Sequence, residues 1–286
     1  MTTKLHLEHP VEADQRPTGE EMVHHHALDM LFSDLVFAPT YFVTDSWYFT
    51  ASAPLRAANT KVEFLDADRN AIPGQSSIHH RNETLVGMGD ISLITGYRVL
   101  SGSVEPWNYS VDLGIGSTLP TGSTEPDPFE LGRDGKDHQH IMFGSGTYDP
   151  TFQLNALLSD GAHTFSLWST ALTPLVANNY GMKSGAEMSA GLGWLHSFGL
   201  DEWLFQFQPE LYHEEPTSWS GGETSQNTGR TDFIAGLGAT WLFSETAETT
   251  LMIKKPFNIR SAGGQLEMPL IISLGLNLRF DLGDED

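Results

Sequence analysis

Seven charged residues stand where strand alternation turns them to one polar face: Arg98, Asp112, Glu187, Glu210, Asp232, Lys254 and Arg279. A charge on a face away from bulk solvent needs water or a partner. Two readings follow. In one, the seven brace the fold as a self-satisfied ion-pair network. In the other, they form a selectivity constriction or a binding patch for a solute.

The histidines suggest a second chemistry. They fall in groups: His24, His25 and His26; His79 and His80; His138 and His140. With Asp29, Asp134 and Asp137 nearby, such groups offer donors for Zn²⁺, Cu²⁺ or Ni²⁺. Solvated loop histidines are the competing reading. Hydrolysis needs a nucleophile, a histidine and an orienting acid that meet. His163, His196 and His213 lie at strand ends, but no serine stands at an informative spacing from them. H-E-x-x-H, P-loop and Rossmann glycine patterns are absent. The chain reads as non-enzymatic and without a cofactor, a divalent metal at the histidine groups being the one opening.

These residues must be positioned by strands. Along 87–122, Ile91, Leu93, Tyr97 and Val99 alternate with Asp90, Ser92, Gly96 and Arg98; Tyr109, Val111, Leu113 and Ile115 then alternate with Ser110, Asp112, Gly114 and Gly116. A period of two gives a sheet with one apolar and one polar face. The pattern recurs along 203–212, 232–243 and 271–280, and in 185–198 Met188, Leu192 and Trp194 oppose Glu187, Ser189 and Gly191. Short turns near 45, 103, 160, 200 and 246 alternate with long loops near 70, 130, 178, 222 and 262. Residues 56–86 read as one such loop, with the strands beginning at Leu35 and 20–31 offering a turn or two of helix. Strict alternation of turn length is the habit of a transmembrane barrel, with short periplasmic turns and long outward loops. Trp47, Trp107, Trp203 and Trp241 near strand ends suit interfacial girdles. An even strand number requires one more strand within residues 1–30, for about twelve in all. The loop from Gly122 to Thr147 is expected to fold into the mouth, with Phe129, Ile141, Met142 and Phe143 lining a route for apolar solutes.

Composition sets limits. Across 286 residues, 15 Lys and Arg face 37 Asp and Glu, for a formal charge of −22, which argues against binding a phosphate backbone. Without cysteine, disulfides and thiolate chemistry are excluded. No run approaches the length of a membrane-spanning helix. Residues 1–16 lack the apolar core of a leader, and the strand pattern favours a mature chain whose leader has been removed.

Several motifs then occur in order: Gly87-Met88-Gly89-Asp90, Leu119-Pro120-Thr121-Gly122, and Gly144-Ser145-Gly146 followed by Asp149. With YFVTDSWYFTASAPL upstream, the set resembles a family of outer-membrane barrels named for the MetA pathway of phenol degradation and regarded as transporters. The resemblance spans roughly 35–280. It implies an outer-membrane location and uptake of aromatic or other hydrophobic small molecules. Phe280 stands where the terminal aromatic of an assembly signal is found. In Gly87, Gly89, Asp90, Pro120, Gly122, Gly144, Gly146 and Asp149 the resemblance supplies a structural motif: glycines for close approach and carboxylates bonding backbone.

The sequence thus predicts an all-β fold, an antiparallel up-and-down transmembrane β-barrel of about twelve strands. Residues 1–30 form a polar segment, 31–280 the barrel and 281–286 an acidic tail. The expected function is an outer-membrane channel or transporter for small, hydrophobic or aromatic molecules, with the lipid bilayer, lipopolysaccharide and a solute as partners. The alternatives are a structural or interaction barrel, joined to a protein partner through its acidic loops or N-terminal segment, and a membrane-embedded lipid hydrolase.

Overall fold

Alternation of the kind seen in 230–244 leaves each strand half polar, so the chain builds its structure from ladders. The computed structural model describes residues 2–7, 25–66, 68–72, 81–200, 202–225, 228–262 and 267–281, the side chains of 2–7 and 25–26 excepted. The strands are β1 (Thr2–Leu7), β2 (His25–Phe37), β3 (Thr40–Phe42), β4 (Trp47–Leu65), β5 (Glu83–Met88), β6 (Ile91–Val104), β7 (Trp107–Leu119) and β8 (Pro150–Ser159). They continue as β9 (His163–Leu172), β10 (Met182–Lys183), β11 (Glu187–His196), β12 (Trp203–Glu214), β13 (Ser218–Trp219), β14 (Arg230–Ser244), β15 (Ala247–Ser261) and β16 (Glu267–Leu278). A short helix, α1 (Pro128–Arg133), sits in the loop after β7, with Asp127 as its cap accepting from the Phe129 and Glu130 amides.

One antiparallel sheet runs β2-β1-β16-β15-β14-β12-β11-β9-β8-β7-β6-β4-β3, and β10 pairs with β13 beside it. β4 is shared along its length. Its first residues, 47–52, lie between β3 and β6; beyond them it pairs with β2 and β5. The breaks on either side of β4 fall at Pro39, which has no amide to donate, and at Gly89-Asp90. Backbone bonds from Ala51 to the Pro39 carbonyl (3.1 Å) and from Gly89 to the Pro54 carbonyl (2.8 Å) bridge them.

Among the described residues the sheet does not close into a complete barrel: β2 pairs with β4 and β1, and β1 with β16, but that seam is only partly laddered. β1 and β16 share two register pairs, Thr2↔Leu270 and Lys4↔Glu267, with a shift between them. β1 covers β2 only from His26 to Leu31. Beyond it, Phe32–Phe37 of β2 with β3 on one side, and Ile271–Leu278 of β16 on the other, have no ladder partner on their outer edges among the described residues. A barrel needs every edge paired. The expected transmembrane barrel is therefore corrected to a large open sheet, and a channel enclosed by its strands is not supported. The bilayer and lipopolysaccharide partners and the outer-membrane location rested on closure and fall with it. So do the barrel-shaped scaffold and the membrane-embedded hydrolase. Among the described residues no helix is long and apolar enough to cross a membrane, which says nothing of strands.

Two local expectations also change. Residues 56–65 continue β4 rather than opening a loop, and 25–31 are strand, not helix; residues 20–24 lie outside the described chain.

The sheet curls. Arg56 on β4, Thr118 on β7, Leu172 on β9, Glu187 on β11 and Glu214 on β12 all line one cleft, so the polar face is concave. The convex face carries the alternate residues, among them Phe205, Phe207, Phe233, Leu237, Trp241, Ile253 and Phe257, all exposed. An apolar surface of this extent is a contact surface. Among the described residues Leu28 and Met30 form a small apolar cluster, with Phe32, Val62 and Ile141 against them, while Ile94, Phe143, Met182, Trp219, Ile234 and Met252 are buried elsewhere. Ladders and polar side chains on the concave face hold the rest.

Candidate functional site

The cleft lies under the loop from 120 to 149 and has a volume of about 460 Å³, within the range of small-molecule sites. Asp90 anchors that loop. Its Oδ1 accepts from the Gly122 amide (2.8 Å), and its Oδ2 accepts from the Ser145 amide (2.7 Å) and hydroxyl (3.0 Å). Gly122 and Gly144 are pressed backbone to backbone beneath it: a Cβ on Gly144 would lie 2.5 Å from the Asp90 carboxylate and 2.7 Å from the Gly122 Cα. Only glycine permits that approach. Asp149, 1% exposed, accepts from the Thr147 hydroxyl (2.6 Å), while its amide donates to Thr118 Oγ1 (3.1 Å). Gly87 packs against the Phe143 ring, Gly89 against Pro54, Gly146 adopts a positive φ, and Pro120 follows the end of β7.

Two further loops complete the cover. Arg133 of α1 donates to Glu223 at 2.9 Å, which ties the 120–149 loop to the 215–229 loop. That second loop supplies Trp219, 4% exposed, to the cleft wall. Met142, Phe143 and Met182 add apolar surface.

Five carboxylates line the cleft, from Asp34, Asp90, Asp149, Glu187 and Glu214, against one guanidinium, Arg56. Arg56 is held by Asp34 (3.8 Å) and donates to the Phe143 carbonyl (3.4 Å). Glu187 and Glu214 are direct cross-strand partners, which places their Cβ atoms about 5 Å apart. Glu214 accepts from the Tyr212 hydroxyl (3.2 Å) and the Gly229 amide (3.3 Å). Among the described residues Glu187 takes no hydrogen bond or ion pair; it opens onto the cleft and is exposed there. Burial, and then Glu214, push the Glu187 carboxyl above the usual carboxylate range; Arg56 pulls it down and Asp149 pushes it up. Burial also raises the Tyr212 phenol, with Glu187 and Glu214 adding to the effect.

Glu187 is thus the one member of the seven charged residues that lines the cleft. The others are placed deeper along the sheet or outside. Arg98 makes a two-point contact with Asp112 (2.8 and 3.3 Å). Lys254 reaches Glu210 at 2.8 Å by lying across Gly236 of the intervening β14. Asp232, fully buried, accepts from Arg230 (2.6 Å) and Asn258 (2.9 Å). Arg279, mostly exposed, stands 3.7 Å from Glu248. Sequence reasoning missed Arg230, although it shares parity with Asp232 two residues on. It also missed Asp34, Arg56 and Glu214, which lie in stretches read as strand end or loop.

Among the described residues the histidines do not gather into a metal-binding group. His138 is buried with Nδ1 3.0 Å from the Lys136 carbonyl, and its ring meets His140 edge-on. Among the described residues no group of three ligands for a metal forms. His24, His79 and His80 lie outside the described residues, as do the side chains of His25 and His26. His163 accepts from the Trp194 indole, His196 meets the Ala162 carbonyl and His213 meets Thr231, so none sits in a triad among the described residues.

No family model matches the chain. No curated protein matches it either. The motif resemblance to the phenol-degradation transporter family is corrected accordingly: the glycines and aspartates that carried it are accounted for by the packing of one loop. Among solved structures, an outer membrane channel from Pseudomonas putida F1 is similar at 12% identity, with a TM-score of 0.48, over 97% of this chain and 91% of that one. A likeness of that degree carries no argument here.

Proposed function

We propose that the chain is a non-catalytic binding protein whose cleft takes a small organic cation. The observation that carries this reading is Glu187: a carboxylate without a hydrogen-bond or ion-pair partner among the described residues, opening onto a cleft whose other charges are mainly negative. An ammonium group there gains a charge-assisted hydrogen bond. Trp219, Phe143, Met142 and Met182 offer apolar and aromatic surface to the rest of the molecule. Each carboxylate lining the cleft apart from Glu187 is engaged by backbone or side-chain groups among the described residues. Titration calorimetry with benzylamine, and with benzoate as the matched anion, tests the reading. Benzylamine is expected to bind and benzoate not, with Glu187→Gln weakening benzylamine about 10- to 100-fold. Equal binding of the two probes, or none of either, overturns it.

A further inference from the structure

The partly laddered seam has the dimensions of one missing strand. β1 lies between β2 and β16, antiparallel to both, and its Thr2 stands opposite Leu31 on one side and Leu270 on the other. At that level β2 and β16 are two strand spacings apart, about 10 Å. Past Thr2 the slot continues between residues 33–37 of β2 and 271–278 of β16, with no ladder on either facing edge among the described residues. Such rows of free N–H and C=O groups are templates for another strand. The side chains beside the slot show the same gap. Among the described residues the four most exposed large apolar side chains are Phe280 (79%), Leu274 (77%), Phe37 (72%) and Leu35 (71%), all on β2, on β16 or just past its end. A Cβ on Gly275 of β16 would meet nothing within 4 Å, whereas one on Gly236 or Gly238 of the fully paired β14 would meet β12 and β15.

We infer that the slot takes an extended, basic segment of a separate protein partner, which enters antiparallel to β2 and β16 and hydrogen-bonds to both, as β1 does beside it. About seven residues at about 3.4 Å each span the slot. Its convex rim, with Leu35, Phe37 and Leu274, selects apolar side chains at alternate positions of the segment. On the concave side Asp34 lines the cleft. That carboxylate and the formal charge of −22 favour lysine or arginine at the intervening positions and oppose a second copy of the chain. The inference does not depend on what the cleft binds.

The probe is a blocked peptide that alternates valine with lysine and threonine, Val-Lys-Val-Thr-Val-Lys-Val, titrated as a fluorescent conjugate into the full chain. Its twin is N-methylated on the lysine and threonine residues, which removes the backbone donors toward one edge and leaves the side chains. The expected result is binding of the first peptide and not of the second, with slower amide hydrogen exchange in both 33–37 and 271–278. Leu274→Lys, at an exposed position on the rim, replaces an apolar cross-strand contact with a charge and is expected to weaken binding about 10-fold. Equal binding of the two peptides, no binding of either, or slowing confined to one edge overturns the inference. Protection of both edges without peptide, in a chain that sediments as a dimer, gives the slot to a second copy and overturns it too.

Discussion

Replacing Asp232 by alanine is expected to be among the most damaging single changes in the chain. The side chain is fully buried, and Arg230 beside it is 9% exposed. Arg230 Nε donates to Asp232 Oδ2 at 2.6 Å, and Asn258 Nδ2 donates to Oδ1 at 2.9 Å. Asn258 retains the Arg260 carbonyl at 3.2 Å when the carboxylate goes, so its loss is small. Arg230 instead loses the carboxylate it donates to, and removing one partner of a buried ion pair costs about 3–5 kcal/mol. Asp232→Asn keeps the shape and one acceptor but removes the charge, at about 1.5–3 kcal/mol. Replacing both charges, as Arg230→Met with Asp232→Leu, is expected to return most of the loss, because neither ion then needs to be desolvated. The chain has 7 tryptophans to report unfolding, so urea denaturation followed by fluorescence ranks the variants. The expected order of stability is alanine below asparagine, with the double variant near the parent. An alanine variant within about 1 kcal/mol of the parent, or a double variant as weak as the alanine one, would refute the reasoning.

Gly144→Ala places a methyl group against the Asp90 carboxylate and the Gly122 backbone. The expected cost is about 1–3 kcal/mol, seen as a lower thermal midpoint together with weaker benzylamine binding; an unchanged midpoint would show that the loop yields. For Glu187 the folded carboxyl titrates above its unfolded value. The unfolded chain therefore gives up this proton first, and stability falls as pH rises from the ordinary glutamate range to the raised folded value. Glu187→Gln removes that slope. The variant is expected to match the parent in acid and to exceed it at neutral pH, by denaturation midpoints taken across the range. A parent that gains on the variant as pH rises would contradict the assignment.

The sequence made the faces legible but not the partners. Parity turned Arg98, Asp112, Glu210 and Asp232 to one side because alternation depends only on neighbouring residues. Which of them meet depends on register and on gaps left by small residues: Lys254 finds Glu210 only because Gly236 clears the strand between them. Length of strand was harder. The second half of β4, with Asn59, Lys61 and Glu63, shows no apolar face, and its ladders with β2 and β5 decide its conformation instead. Closure was beyond reach for the same reason. Alternation and turn length are identical in a barrel and in a curled open sheet, and the difference lies in whether β1 runs the full height between β2 and β16. The same limit hid the cleft. Glu187 and Glu214 each look like an ordinary polar strand residue until register sets them opposite one another. A fold under no functional demand would offset two such carboxylates or pair one with a base, as it does at Arg98–Asp112 and Lys254–Glu210. Among the described residues Glu187 is left without such a partner at the cleft, beside aromatic and methionine side chains, and that is the observation on which the proposed binding site rests.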